Sequence, residues 1–259
     1  MEAEIVEMHA RPARPYGWIG LPLSLGLIVI LGTGFGGLAL GLVFLTGAAI
    51  LGWDEAGNHV VNLYEAMKGD PQTAEFVALI LGIVIYAAIA LAVFAAARFR
   101  GGANWRDLIA WHPWTLARTP RSCWVTVAAT MVYSFVANEA LAYFYPASQD
   151  WVTIPQGIPT TLVFFAIATI SAPLTEELIF RGWLFTALRD KLRFAPSLVI
   201  ASALFALAHW EPTHLYALVV FPVGLALGFI RERTGSLKAS ISFHAFYNGV
   251  AFLLMLSGK

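Results

Sequence analysis

Cysteine and charge are both scarce in this 259-residue chain. Cys123 is the single cysteine, and the chain has 16 basic and 16 acidic residues, 12% of the total. One cysteine excludes an internal disulfide framework and a cysteine-based zinc site. The formal net charge of zero gives no indication of a nucleic-acid partner. The HExxH pattern of many zinc proteases is also absent.

Apolar residues dominate instead. They make up 59% of the sequence, and the mean hydropathy is +0.71. Such values are typical of a protein that crosses the membrane several times. The first apolar stretch is too long for a signal-peptide core, so we expect no cleaved signal.

Hydropathy predicts an all-α bundle of about seven transmembrane helices in a single domain, residues 1–259. A span needs about 20 mostly apolar residues. The predicted spans are 18–51, 76–97, 122–145, 158–181, 195–210, 214–230 and 239–256. Basic residues alternate between connections, and by the positive-inside rule the amino terminus is then cytoplasmic and the carboxyl terminus outside. The basic connection 98–121 also carries Trp105, Trp111 and Trp114, which favour an interfacial position.

The first predicted span is unusually long, because about 35 residues exceed one crossing and permit either one tilted helix or two crossings. It contains Gly32-Thr-Gly-Phe-Gly-Gly37, which matches the dinucleotide pattern GxGxxG. That pattern requires a strand before it and a helix after it, and here it lies inside an apolar span. Glycines four apart, Gly32 with Gly36 and Gly37 with Gly41, instead favour close approach of a neighbouring helix.

Three charges stand together at the end of the fourth predicted span. Glu177 and Arg181 are four residues apart and share a helix face, with the acid in the better position for an ion pair. Glu176 is rotated away from Arg181. One carboxylate is thereby neutralised, and the other is left to face a polar cavity as a general base. The alternative is that the cluster only caps the cytoplasmic end of the span.

Two further polar pairs follow. Phe205 and His209 are four apart, so the ring can shield the imidazole from lipid. His244 and Asn248 are also four apart and point the same way from the last span. Together with Glu176 they provide a base, a second group to hold water and donors for an oxyanion, the groups needed to hydrolyse an amide.

Bringing these groups to one depth requires an adjustment of the spans. Glu176 lies near the cytoplasmic end of span four, whereas His209 lies about 20 Å along span five. We therefore expect the fourth helix to continue past Arg181 to about Leu188, with span five starting below the membrane surface.

The three motifs Glu176-Glu177-x-x-x-Arg181, Phe205-x-x-x-His209 and His244-x-x-x-Asn248 resemble those of the CPBP family of intramembrane proteases. This group includes the CAAX prenyl endopeptidase Rce1 and bacterial Abi proteins. The resemblance covers residues 158–252, including the connection 225–237, and makes this segment the expected catalytic core. Residues 1–157, with the amino-terminal spans and the basic connection, carry no recognised motif.

The resemblance implies an endopeptidase in which Glu176 and His209 activate water while His244 and Asn248 stabilise the oxyanion. The supporting residues would be Glu177, Arg181 and Phe205. It implies no cofactor and a membrane-embedded or membrane-associated substrate, lipidated in the CAAX case. It also implies residence in a bacterial inner membrane. A zinc hydrolase using Glu176, His209 and His244 is a variant of this prediction.

A non-enzymatic role is the competing prediction. The polar cluster would then serve a membrane scaffold, an immunity-type protein or a proton or small-solute carrier, with Asn138 and Glu139 extending the polar path. Absence of a visible inverted duplication disfavours a carrier. No role is predicted for His9, His59, His112 and His214.

Overall fold

The computed structural model describes residues 20–145, 154–210 and 215–257. Within these ranges the chain forms eight helices and no β-strand. The helices are α1 (Gly20–Leu51), α2 (Trp53–Gly69), α3 (Pro71–Gly101), α4 (Arg121–Phe144), α5 (Ile158–Arg189), α6 (Phe194–Leu207), α7 (Tyr216–Thr234) and α8 (Leu237–Leu256). The orientation of the termini, which is predicted from the alternation of basic residues between connections, stays a prediction. Arg11, Arg14 and Lys259 lie outside the described residues, as do His9 and His214.

Five of these helices are long and apolar enough to cross a membrane: α1, α3 with the short turn after it, α4, α5 and α8. This confirms the polytopic helical bundle. The other two predicted spans also coincide with helices, but neither has the full character of a span. Helix α6 has only 14 residues, and α7 carries Arg231, Glu232 and Arg233 near its end.

Helix α1 is one unbroken helix of 32 residues, so the long first stretch is not divided into two crossings. It packs along α3, and a Cβ added at Gly32 would lie 2.7 Å from the Cα of Ile89. Gly36 also faces α3. Gly37 and Gly41 do not, because a Cβ at either position would meet no described residue within 4 Å. The predicted close approach is therefore correct for the first glycine pair and wrong for the second, which lies on another face of α1.

Helix α5 continues to Arg189, as the adjustment of span four predicted. It is not a uniform α-helix, because Ile167–Ser171 and Leu178–Leu184 adopt the wider π-helical form. Short π segments inside α-helices are often found at functional sites. In α5 they flank the six residues Ala172–Glu177, which contain Pro173 and both glutamates.

The connection between α3 and α4 folds back onto the bundle. Trp111 packs edge-on against Phe94 of α3, with 5.0 Å between ring centroids. The Leu237 N–H donates to the Ala110 carbonyl at 2.8 Å, and the Ser236 hydroxyl donates to the His112 carbonyl at 2.8 Å. These bonds fix the connection to the start of α8. The position of its tryptophans at a lipid interface stays a prediction.

Helices α4 and α8 start at the same end of the bundle. Cys123 and Ala239, both near a helix start, belong to one buried cluster with Phe243. The rings of Trp124 and Phe243 lie 5.1 Å apart. The two helices therefore run in the same direction from this end.

Candidate active site

The adjacent glutamates of α5 lie in different surroundings. The Glu177 side chain is 0% exposed, whereas that of Glu176 is 16% exposed. Successive side chains on a helix differ in direction by about 100°, so one neighbour can enter the packed interior while the other faces a cavity. Glu176 lines the cavity.

Glu177 and Arg181 form the ion pair that their spacing predicts. Arg181 Nη1 donates to Glu177 Oε1 at 2.7 Å, and both side chains are buried. The other guanidinium nitrogen, Nη2, donates to the Gly224 carbonyl of α7 at 3.0 Å. The guanidinium carbon also lies 4.2 Å from the centre of the Phe205 ring. Arg181 therefore joins three helices, α5, α6 and α7.

His244 of α8 lies between the two glutamates. Its Nδ1 is 3.1 Å from Glu177 Oε1, and its Nε2 is 3.8 Å from Glu176 Oε2. A carboxylate only accepts hydrogen bonds, so Nδ1 carries the hydrogen on the Glu177 side. The buried ion pair thereby orients the imidazole and directs Nε2 towards Glu176.

His209 approaches Glu176 from the turn that follows α6. Its Nε2 lies 3.8 Å from Glu176 Oε2, and its Nδ1 lies 2.8 Å from the Phe205 carbonyl. A carbonyl cannot donate, so Nδ1 must carry a hydrogen, and in the neutral ring Nε2 is then an acceptor facing Glu176. The Phe205 ring lies 4.6 Å from the imidazole, centre to centre. Phe205 therefore supports His209 through its ring and its backbone.

Glu176 does not make a normal hydrogen bond to either histidine. Its Oε2 lies 3.8 Å from both Nε2 atoms, beyond the 2.7–3.2 Å usual for a direct bond. A polar separation above about 3.5 Å is one that a water molecule commonly bridges. The three groups are therefore arranged around a point where a water molecule can bind.

The Asn248 side chain is anchored to α5 at a place where the helix lacks one of its own backbone hydrogen bonds. In the first π segment the Ala172 N–H donates to the Ile167 carbonyl. The next bond of this pattern would run from residue 173 to Ala168, but Pro173 has no N–H. Asn248 Nδ2 instead donates to the Ala168 carbonyl at 2.8 Å. An amide NH₂ has two hydrogens, so one is still available to a ligand.

A cavity of about 730 Å³ connects these groups. Its described walls come from α4, α5, α6, α7 and α8 and include all four predicted catalytic residues, Glu176, His209, His244 and Asn248. Asn138 and Glu139 of α4 also line it, as the extension of the polar path predicted. The roles assigned to these side chains remain predictions.

Three groups that belong to the site were not predicted from the sequence. The Gly224 carbonyl carries no side-chain signal, and its contact with Arg181 depends on how α5 and α7 pack. Tyr216 and Tyr247 line the cavity from α7 and α8. Tyr247 directly precedes Asn248, and this position beside the last motif is its only sequence signal for a place in the site.

The donor set Glu176, His209 and His244 could in principle bind zinc, which uses carboxylate and imidazole ligands. In the part of the chain that the structure describes, no group of three His, Cys, Asp or Glu side chains is arranged to hold a metal ion. Zinc dependence stays a prediction for experiment.

Comparison with known proteins agrees with the motif pattern of the sequence. Residues 158–250 match the family model described as "Type II CAAX prenyl endopeptidase Rce1-like". This segment contains every residue of the three motifs. The match confirms the resemblance that those motifs predict.

Individual relatives share about half of the chain. YdiL of Bacillus subtilis (strain 168), named as a candidate membrane peptidase, is 28% identical over 109 residues, 42% of this chain and 43% of YdiL. MroQ of Staphylococcus aureus (strain USA300), named a membrane-embedded CAAX protease, is 28% identical over 141 residues, 50% of this chain and 55% of MroQ. An uncharacterized 24.3 kDa protein of Escherichia coli is 30% identical over 126 residues, 47% of this chain and 58% of that protein.

The chain thus spans about half the length of these curated relatives. No solved structure matches it.

Proposed function

We propose that this protein is an intramembrane endopeptidase that hydrolyses a peptide bond with water activated by Glu176 and His209. The observation that carries the proposal is the contrast between adjacent carboxylates. Glu177 is bound by Arg181 and His244, whereas Glu176 faces two imidazole nitrogens at 3.8 Å inside a cavity. The Rce1-like match over residues 158–250 supports it.

The first step uses the water between Glu176 and His209. One water hydrogen points to Glu176 Oε2 and the other to the acceptor Nε2 of His209. Glu176 takes a proton as the water oxygen forms a bond to the carbonyl carbon, and the carbonyl π electrons move to oxygen. General base catalysis of this kind contributes about 10²–10⁴-fold.

The resulting oxyanion needs hydrogen-bond donors. Asn248 offers the second hydrogen of its amide, because Ala168 occupies only one. His244 in its imidazolium form donates from both nitrogens, Nδ1 to Glu177 and Nε2 to the oxyanion. Donors fixed before the reaction stabilise charge that develops in the transition state.

Collapse of the tetrahedral intermediate completes the reaction. The oxyanion re-forms the carbonyl, the C–N bond breaks, and the proton held by Glu176 passes to the leaving nitrogen. The products are a carboxylic acid and an amine, and Glu176 returns to its starting state. No covalent enzyme intermediate forms, since water is the nucleophile.

The narrower proposal concerns substrate and location. The family description and the name of MroQ favour CAAX-type processing of a membrane-associated, lipidated carboxyl terminus. Bacterial relatives favour a bacterial inner membrane. The basic connections favour a cytoplasmic amino terminus and an external carboxyl terminus.

The test is to compare cleavage of membrane peptides by the purified wild type and by Glu176→Gln. We expect the variant to lose about 10²–10⁴-fold in rate, because the base is removed while the side chain keeps its size. The control is Glu65→Gln, an exposed acid of α2 that pairs with Lys68, which should retain full activity. Equal rates for wild type and Glu176→Gln would refute the proposal.

The carrier alternative is favoured by one observation, namely that Glu139 and Glu176 line the same cavity. A carrier would move protons or solute across liposomes without cleaving peptides. Transport by wild type that both Glu139→Gln and Glu176→Gln abolish, in the absence of any peptidase activity, would establish that alternative.

A further inference from the structure

The cavity extends well beyond the catalytic groups. One face of α4 lines it, with residues at the three- and four-residue spacing of a single helix face. These residues are Met131, Ser134, Phe135, Asn138, Glu139, Leu141 and Ala142. On α8 the lining runs from His244 to Met255, eleven residues or about 16 Å. An extended peptide advances about 3.3 Å per residue, so this length holds about five residues.

Glu139 and Glu176 line the same cavity from different helices. The Tyr133 hydroxyl of α4 donates to the Leu218 carbonyl of α7 at 3.0 Å, and Tyr216, two residues earlier on α7, lines the cavity. Glu139 follows Tyr133 by six residues, about 9 Å of helix. The carboxylate of Glu139 therefore belongs to the part of the cavity wall beyond the level of Tyr216, towards the end of α4.

The walls between the two ends are mainly apolar. The described lining contains the carboxylates of Glu139 and Glu176 but no lysine or arginine. Glu139 forms no ion pair or hydrogen bond with any residue in the described ranges. Glu139 is an exposed residue near the end of α4, so its carboxylate is accessible to a cationic group that enters the cavity.

We propose that Glu139 is a specificity-determining residue that binds a lysine or arginine side chain of the substrate, a few residues from the scissile bond. The inference rests on the proposed endopeptidase function and names its substrate class: an apolar peptide segment with one basic residue. The ammonium or guanidinium group pairs with Glu139, and the apolar walls contact the residues between it and the cleaved bond. A free carboxylate at the same place would be repelled.

The test separates binding from cleavage. The probes are decapeptides of Ala, Leu and Val with an amino-terminal fluorophore and an amidated end, carrying a single Lys, norleucine or Glu at position 8. Affinities are measured by fluorescence anisotropy on the full chain in lipid nanodiscs, in the Glu176→Gln background so that binding is read without cleavage. We expect the Lys peptide to bind about tenfold more tightly than the norleucine peptide, since charge-assisted pairs exceed neutral contacts.

Two further variants define the site. Glu139→Gln should remove the difference between Lys and norleucine peptides, and Glu139→Lys should make the Glu peptide the preferred one. Glu55→Gln, an exposed acid of α2 away from the cavity, is the matched control and should retain the preference for Lys. Equal affinity for the Lys and norleucine peptides, including no binding of either, or a preference that survives Glu139→Gln, would overturn the inference.

The outcomes also distinguish this inference from the function on which it rests. Wild type with Glu176 intact should cleave the Lys peptide at one bond a few residues from the lysine. A Glu139-dependent preference without any cleavage would leave the binding site in place and refute the endopeptidase. Equal cleavage of the Lys, norleucine and Glu peptides would support the endopeptidase and refute the proposed role of Glu139.

Discussion

Two regions meet at one turn of α5, the buried ion pair around Glu177 and the open cavity in front of Glu176. The first is closed: Glu177 contacts Arg181 and His244, and no solvent reaches it. The second keeps its polar atoms 3.8 Å apart. Two adjacent glutamates therefore differ in role: Glu177 is structural, and Glu176 is the proposed chemical group. The close contacts at Glu177 Oε1 fix the framework, and the wider separations around Glu176 leave room for water.

Removal of Arg181 should have the largest effect. In Arg181→Ala the Glu177 charge remains buried without its cation, which costs about 3–5 kcal/mol of folding free energy. We expect loss of folded protein together with activity, measured by unfolding in detergent micelles. The control is Arg189→Ala, since Arg189 pairs with Glu232 where both side chains are about a quarter exposed. Removing that partly exposed pair should cost about 1 kcal/mol or less.

Asn248→Ala tests the cavity side. Loss of an oxyanion donor should lower kcat by about 10²–10³-fold while KM changes little. The measurement is steady-state cleavage, with Asn62→Ala on exposed α2 as the control of equal size. A kcat that stays near the wild-type value would show that the Asn248 amide only fastens α8 to Ala168.

Gly32→Ala tests whether the packing of α1 against α3 contributes to the stability of the helix bundle. The added methyl group would lie 2.7 Å from the Cα of Ile89, and relieving that clash should cost about 1–3 kcal/mol. Gly34→Ala is the matched control, since a Cβ there meets nothing within 4 Å. Equal unfolding midpoints for the two variants would mean that the close approach of α1 and α3 does not contribute to stability.

Chelation should have the smallest effect. If Glu176 activates water with imidazoles alone, EDTA or phenanthroline leaves the cleavage rate unchanged, and the purified protein contains no stoichiometric zinc. Loss of activity on chelation that added zinc restores would instead establish the zinc variant with Glu176, His209 and His244 as ligands.

Helical phase predicted what lies within one helix. The four-residue spacing of Glu177 and Arg181 predicted their ion pair, and the rotation of Glu176 predicted its separate direction. The same rule failed at Gly37 and Gly41, because spacing defines a face but does not say which neighbour the face meets. Only the packed helices show that.

Contacts between helices needed the structure. The Arg181 bond to Gly224 ends on a carbonyl, a group that every residue has, so no sequence pattern marks it. The double contact of His244 with both glutamates depends on the height of α8 relative to α5. Depth arguments did predict that α5 continues beyond Arg181, because otherwise Glu176 and His209 could not meet.

The missing N–H of Pro173 has a consequence at a distance of 75 residues in sequence. Any other residue at position 173 would bring a backbone donor within reach of the Ala168 carbonyl and compete with Asn248 for it. The side chain of Asn248 would then lose its anchor and be free to change rotamer. Pro173, which does not line the cavity, thereby determines the orientation of the Asn248 amide on another helix.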